Sequence, residues 1–184
     1  MNPHLRASGS AYFLTKVSKK IERHTLSVLV DNEPGILARI AGLFSARGYN
    51  IESLTVSETE HEKGLSRITV VTIASAKTLR QIKLQLERLI PVHKVHDLTA
   101  EGNPLERELA LVKVAGKGEN RVETLRLAEA FRAQVVDAST TSFVFEITGK
   151  SSKIAQFISL MVPLGLVEVV RTGLSAISRG PDGM

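Results

Sequence analysis

The chain has 184 residues, 43% hydrophobic and 23% charged, which suits one large domain or two small ones with a real core and is too apolar for disorder. No apolar run approaches the roughly 20 residues of a bilayer span, and the lack of Cys removes disulfides, thiol nucleophiles and thiolate metal sites. The net charge of +5 is concentrated at one end: residues 1–23 hold Arg6, Lys16, Lys19, Lys20 and Arg23 against Glu22, while the rest of the chain holds 19 basic and 18 acidic residues, no obvious excess for neutralising phosphates.

Residues 1–23 read as an extension. They lack an apolar stretch with a small-residue cleavage site, so a secretory signal is not expected; their acid-poor, Ser- and Arg-containing composition also suits a transit segment. Leu26, Val28 and Val30 alternate as a strand that Asn32, Pro34 and Gly35 break. Ile36, Leu37, Ile40, Ala41, Leu43 and Phe44 follow at helical spacing, with Gly48 placed to end the helix. A strand from about Ile51 to Glu58, a polar hairpin connection over 59–64 and a strand through Ile68, Val70 and Val71 come next. Ser75 can cap a helix carrying Leu79, Ile82, Leu86 and Leu89, which Pro91 terminates before a strand through Val92 and Val95.

After a linker at 99–104 the order repeats. A strand through Leu109, Leu111, Val112 and Val114 leads to a helix with Val122, Leu125, Ala128 and Phe131 at intervals of three. Strands near 135–138 and 143–147, a helix with Ile154, Phe157, Ile158 and Met161, and a strand over 167–170 complete the unit, with a last short strand at 174–177. The expected class is α+β: two tandem ferredoxin-like βαββαβ domains, at 24–98 and 105–180, with a tail at 181–184. The sheet face opposite the helices must be covered by a second copy or a partner, or wetted.

Most of the apparent chemistry has a plainer explanation. Glu58, Glu60, His61 and Glu62 crowd a hairpin tip without EF-hand or zinc spacing, so a solvated charge cluster is expected. His93 and His96 are three apart on a strand, point to opposite faces and cannot share an ion. Gly116, Lys117 and Gly118 lack the third glycine and the parallel context of a dinucleotide site. No His and acid arrangement activates a Ser.

Residues 31–37, DNEPGIL, are more informative. Gly35 removes the Cβ at the turn, and the helix that follows begins with unpaired N–H groups suited to a carboxylate. Asn32 can accept from an ammonium group and donate to a carboxylate, so the turn could recognise a zwitterionic amino acid. Alternatively, Asn32 caps the helix and Pro34 and Gly35 only shape the turn.

The run HTLSVLVDNEPGILARIAGLFSARGYNIESLTVSETE over 24–60 resembles the ACT domain of the small regulatory subunits of acetolactate synthase, or acetohydroxyacid synthase, and RGYNIESLTV over 47–56 is its most specific piece. The resemblance continues through LSRITVVT at 65–72, LERELALVKV at 105–114 and GLSAISRG at 173–180. It implies a cytoplasmic protein without catalysis of its own that binds and activates a catalytic large subunit and confers feedback inhibition by valine in branched-chain amino acid biosynthesis. The implied partner holds thiamine diphosphate, FAD and Mg, and condenses pyruvate with pyruvate or 2-oxobutyrate. The implied effector site lies between the ACT domains of a homodimer and joins Asn32, Gly35, Ile36 and Leu37 of one chain to Asn50 and Ile51 of the other. In it the Gly35, Ile36 and Leu37 amides would meet the carboxylate, Asn32 and Asn50 the ammonium, and Ile51 the side chain.

Competing assignments are another amino-acid-sensing ACT protein, a free-standing enzyme, an amino-acid-sensing transcription factor and an RNA-recognition module. The last needs exposed aromatics on its strands, and Leu26, Val28, Val30, Ile68 and Val70 are none. A transcription factor needs a DNA-reading helix pair, and only the N-terminal extension is left to supply one.

Overall fold

The computed structural model describes residues 21–59 and 64–184. Most of the N-terminal extension and the tip residues Glu60, His61 and Glu62 therefore lie outside the described residues. The first unit is β1 (Ile21–Asp31), α1 (Ile36–Ser45), β2 (Ser53–Glu58), β3 (Leu65–Ser75), α2 (Ala76–Leu86) and β4 (Val92–Asp97), with strand order β2-β3-β1-β4 and antiparallel neighbours. β1 starts five residues before the apolar alternation does, because β3 continues to Ser75 and pairs it with Ile21. Leu26, Val28 and Val30 face the helices with Ile68 and Val70, and Ile36, Ile40, Phe44, Leu79, Ile82 and Leu86 close the core over them. At the end of α1, around Gly48, the Tyr49 N–H donates to Phe44 O at 3.0 Å. Ser75 caps α2 by accepting from the Thr78 N–H at 3.3 Å. That helix ends at Leu86, before Pro91 is reached.

The second unit is β5 (Leu105–Val114), α3 (Glu119–Ala130), β6 (Gln134–Ala138), β7 (Phe143–Gly149), α4 (Ser151–Met161), a 3-10 turn over Val162–Leu164, and β8 (Leu166–Arg171), in the order β6-β7-β5-β8. Ala110, Val112, Val114, Phe145, Ile147, Ile154, Phe157 and Met161 form its core. The expected buried face of α3 is corrected. Ala128 is buried and Phe131 half-buried against the core as expected, but Val122 and Leu125 are exposed and Thr124 is buried in their place. A step of three residues turns the helix by 300°, so residues at repeated intervals of three drift off one face.

The open face of the first sheet is covered by this same chain. Thr25, Ser27, Leu29, Thr69 and Val71 point away from the helices yet are buried. After β8 the chain returns along this face as β9 (Ser175–Ile177), which pairs Ser175 with Arg107 and Ile177 with Leu105 at the start of β5. Thr25 donates to Glu106 Oε1 at 2.6 Å, and Ser27 Oγ donates to Met184 Sδ at 3.2 Å. Among the described residues no helix is long and apolar enough to cross a membrane.

Candidate functional site

The β1–α1 turn is held from both sides. The Asn32 N–H donates to Gly64 O at 2.7 Å, and the Asp31 N–H donates to Pro91 O at 2.8 Å. Gly35 occupies the N-cap of α1 at φ 90°, a left-handed conformation that its missing Cβ makes inexpensive, and no side chain caps the helix. The alternative that Asn32 serves as the cap is therefore not what the structure shows. Its exposed carboxamide makes no hydrogen bond among the described residues.

The first i→i−4 bond of α1 runs from the Arg39 N–H to Gly35 O at 3.0 Å. The Ile36 N–H reaches Glu33 O at a long 3.4 Å, which leaves Leu37 and Ala38 as the first-turn amides with no helical acceptor upstream. Ile36 is buried in the core, and Leu37 is 41% exposed beside the turn. The Gly35 N–H likewise makes no backbone hydrogen bond among the described residues, so of the Gly35, Ile36 and Leu37 set the Gly35 and Leu37 amides are free, with that of Ala38 beside them.

Asn50 and Ile51 sit at the other end of α1, roughly 15 Å away for a helix of ten residues. One chain does not bring the two groups together. The Asn50 side chain donates to Glu52, and the Asn50 backbone carbonyl accepts from Thr72 Oγ1 at 2.7 Å. Ile51 is half-buried against the first core, so only part of its surface is open. Glu52 was not singled out from sequence; the signal that could have found it is the i, i+2 spacing, which puts Asn50 and Glu52 on one side of an extended segment.

Chain topology places this segment at an open edge. β1 and β2 run parallel on either side of β3, so the connection between them carries α1 across β3 to the β2 side. The Thr59 N–H to Leu65 O bond at 3.0 Å sets the ladder phase: Thr55 and Ser57 turn their N–H groups to β3, and Leu54 and Val56 turn theirs outward. The opposite edge, β4, carries His93, Lys94 and His96, which discourage pairing.

The remaining sequence candidates separate. His93 Nε2 lies 2.7 Å from Asp31 Oδ1 and His96 Nδ1 lies 2.9 Å from Glu101 Oε2, each with its own carboxylate. His24, without a partner nearby in sequence, meets the buried Asp97 at 3.2 Å. Among the described residues no cluster of three or more His, Asp or Glu could hold a metal ion.

Between the two units lies a cleft of about 470 Å³ bordered by Arg23, Glu52, Ser53, Glu108, Arg171 and Leu174. Arg171 holds Glu108 through two parallel bonds, Nε to Oε1 at 2.7 Å and Nη2 to Oε2 at 2.6 Å. Burial pushes the Glu108 carboxyl up, but the bonds from Arg171 and Ser151 and the charges of Arg171 and Arg23 outweigh it and hold the group below its ordinary value.

Comparison with known proteins covers both units. Residues 26–94 match the family model of the AHAS small subunit-like ACT domain, and residues 107–180 match that of the small subunit of acetolactate synthase. The chain is 47% identical over 158 residues to a probable acetolactate synthase small subunit of Archaeoglobus fulgidus, covering 86% of this chain and 98% of that one. It is 45% identical over 159 residues to the acetolactate synthase small subunit of Haemophilus influenzae, covering 86% and 96%. The crystal structure of the acetolactate synthase small subunit from Thermotoga maritima superposes with a TM-score of 0.79 at 40% identity, over 88% of this chain and 99% of that one.

Proposed function

Since the chain belongs to the acetolactate synthase small-subunit family, we propose that it is a regulatory subunit that binds and activates a catalytic large subunit in the cytoplasm and makes it inhibitable by valine. Thiamine diphosphate, FAD and Mg belong to that partner in this reading, and this chain supplies no catalytic group.

The observation that carries the effector assignment is the uncapped N-terminus of α1 at left-handed Gly35, beside the unbonded carboxamide of Asn32. A carboxylate suits the free amides and the positive end of the helix dipole. Asn32 and Asn50 would orient an ammonium group, and Leu37 with the open part of Ile51 would meet an aliphatic side chain. Burying an isopropyl group contributes about 1.5–3 kcal/mol, so affinity tighter than millimolar comes largely from the charged ends.

A homodimer completes such a site. Antiparallel pairing of two β2 edges sets the start of one strand beside the end of the other. Asn50 of one copy then approaches the α1 N-terminus of its partner. Inhibition further requires valine to bind one arrangement of the assembly better than another, because equal affinity shifts nothing.

Mixing the chain with its cognate large subunit and titrating valine, leucine and isoleucine against acetolactate formation tests the reading. The expected result is a faster rate on adding the chain and a fall with valine. A rate that neither the chain nor any of the three amino acids alters would overturn it.

A further inference from the structure

We propose that a second site, on the opposite face of the first sheet from the α1 N-terminus, binds the oxyanion group of a small metabolite, a carboxylate or a phosphoryl. The cavity lies between β2–β3 and β9 and measures about 310 Å³. Strand register builds its floor: Thr55 opposes Thr69, Ser57 opposes Arg67, and all four project away from the helices. Arg107 and Ser175 supply the wall from β5 and β9, and no Asp or Glu lines the cavity.

Two of these groups are orphaned. Arg67 Nε and Thr55 Oγ1 are both buried with no hydrogen-bond partner. The Arg67 guanidinium makes no hydrogen bond or ion pair among the described residues, and Arg107 donates only to the Glu106 carbonyl, at 2.8 Å. Arg67 is half-buried and Arg107 exposed; the buried Nε–H of Arg67 has lost its water and gained no acceptor in return. Two guanidinium forks and a ring of hydroxyls around one space match the acceptor geometry of a carboxylate or phosphoryl group.

The neighbouring cavity across β9, which Arg67 also borders, contains Asp182 and so has its own negative charge. The cavity at Thr55 and Ser57 has none, which makes it the place for an external anion. A bound anion there would touch β2 and β3 on one side and β5 and β9 on the other, joining the two halves of the chain.

The test uses the full chain at low ionic strength, following arginine Nε–H resonances while inorganic phosphate and, separately, acetate are added. The expected result is a saturable shift of the Arg67 resonance with at least one of them; phosphate alone identifies a phosphoryl ligand and acetate alone a carboxylate. Binding by Arg67→Gln, followed by calorimetry, should be at least tenfold weaker. Arg179→Gln, on the far side of β9, should bind as the parent does. No saturable shift with either anion, or an unchanged dissociation constant in Arg67→Gln, would overturn the proposal. If that variant does not fold, Arg107→Gln replaces it: several-fold weaker binding supports the site and unchanged binding refutes it. The readout needs neither large subunit nor valine, so its failure is distinct from failure of the regulatory reading.

Discussion

The Leu174 N–H donates to Ser53 Oγ at 2.9 Å, a bond across 121 residues that ties the returning C-terminal segment to the edge strand of the first sheet. Leu174 is buried there. The contact is close because Gly173 precedes it at φ 84°, where a Cβ would stand 2.8 Å from Thr55 Oγ1 and 3.0 Å from Ser53 Oγ. Both the left-handed backbone and the space exclude a larger residue. Gly173→Val should destabilise the chain by about 2–4 kcal/mol, from backbone strain together with overpacking. Urea denaturation measures it, and an unchanged midpoint would show that this joint tolerates a side chain.

At the proposed effector site, Asn32→Ala, Gly35→Asp and Asn50→His should each raise the valine concentration for half-inhibition at least tenfold while activation of the large subunit persists. The Gly35 substitution places a fixed carboxylate where the ligand's would bind and repels it. Glu52→Gln should give a smaller increase, since it loosens the Asn50 amide without removing it. Dose–response curves with reconstituted enzyme decide this: folded, activating variants with unaltered valine sensitivity would dismiss the site.

Pairing through β2 depends on outward N–H groups. Val56→Pro removes one of them while leaving the ladder to β3 intact, because the Val56 amide does not face β3. Sedimentation should show the parent as a dimer and the variant as a monomer with the same far-ultraviolet spectrum. A variant that stays dimeric places the interface elsewhere.

The Glu108–Arg171 pair gives a pH signature. Glu108 has a folded pKa below its ordinary value, so its contribution to stability is fully present above about pH 4.3, the unfolded carboxylate value, and is lost as pH falls through the lower folded value. Arg171→Met leaves the buried carboxylate without its fork and should cost about 2 kcal/mol at pH 7. The gap between parent and variant should narrow below pH 4. A gap constant from pH 7 to pH 3 would mean that Arg171 acts through packing alone.

Period-two and helical apolar patterns are local, and they were enough to read two βαββαβ units and both ends of α1. The Asn32–Gly35 turn was also visible as a motif, and the Asn50–Ile51 segment through the family resemblance. The buried face of α3 was misread because Thr124, which donates to Asn120 O at 2.7 Å, hides its polar group within the helix and packs as an apolar residue would. Glu52 was missed although its i, i+2 spacing from Asn50 was there to read, because that spacing places the two side chains together only once the segment is known to be extended.

The sequence by itself determined the order of elements, the core faces of the strands and the glycine turn before α1, since each follows from side-chain polarity and backbone freedom over a few residues. Tertiary structure decided that β9 returns to cover the first sheet, that Arg67 and Thr55 share a cavity lined by no Asp or Glu, and that Asn32 and Asn50 stand at opposite ends of one helix. These are relations between residues far apart in the chain. They are set by strand register and by the direction in which the chain crosses over β3, neither of which any local pattern encodes.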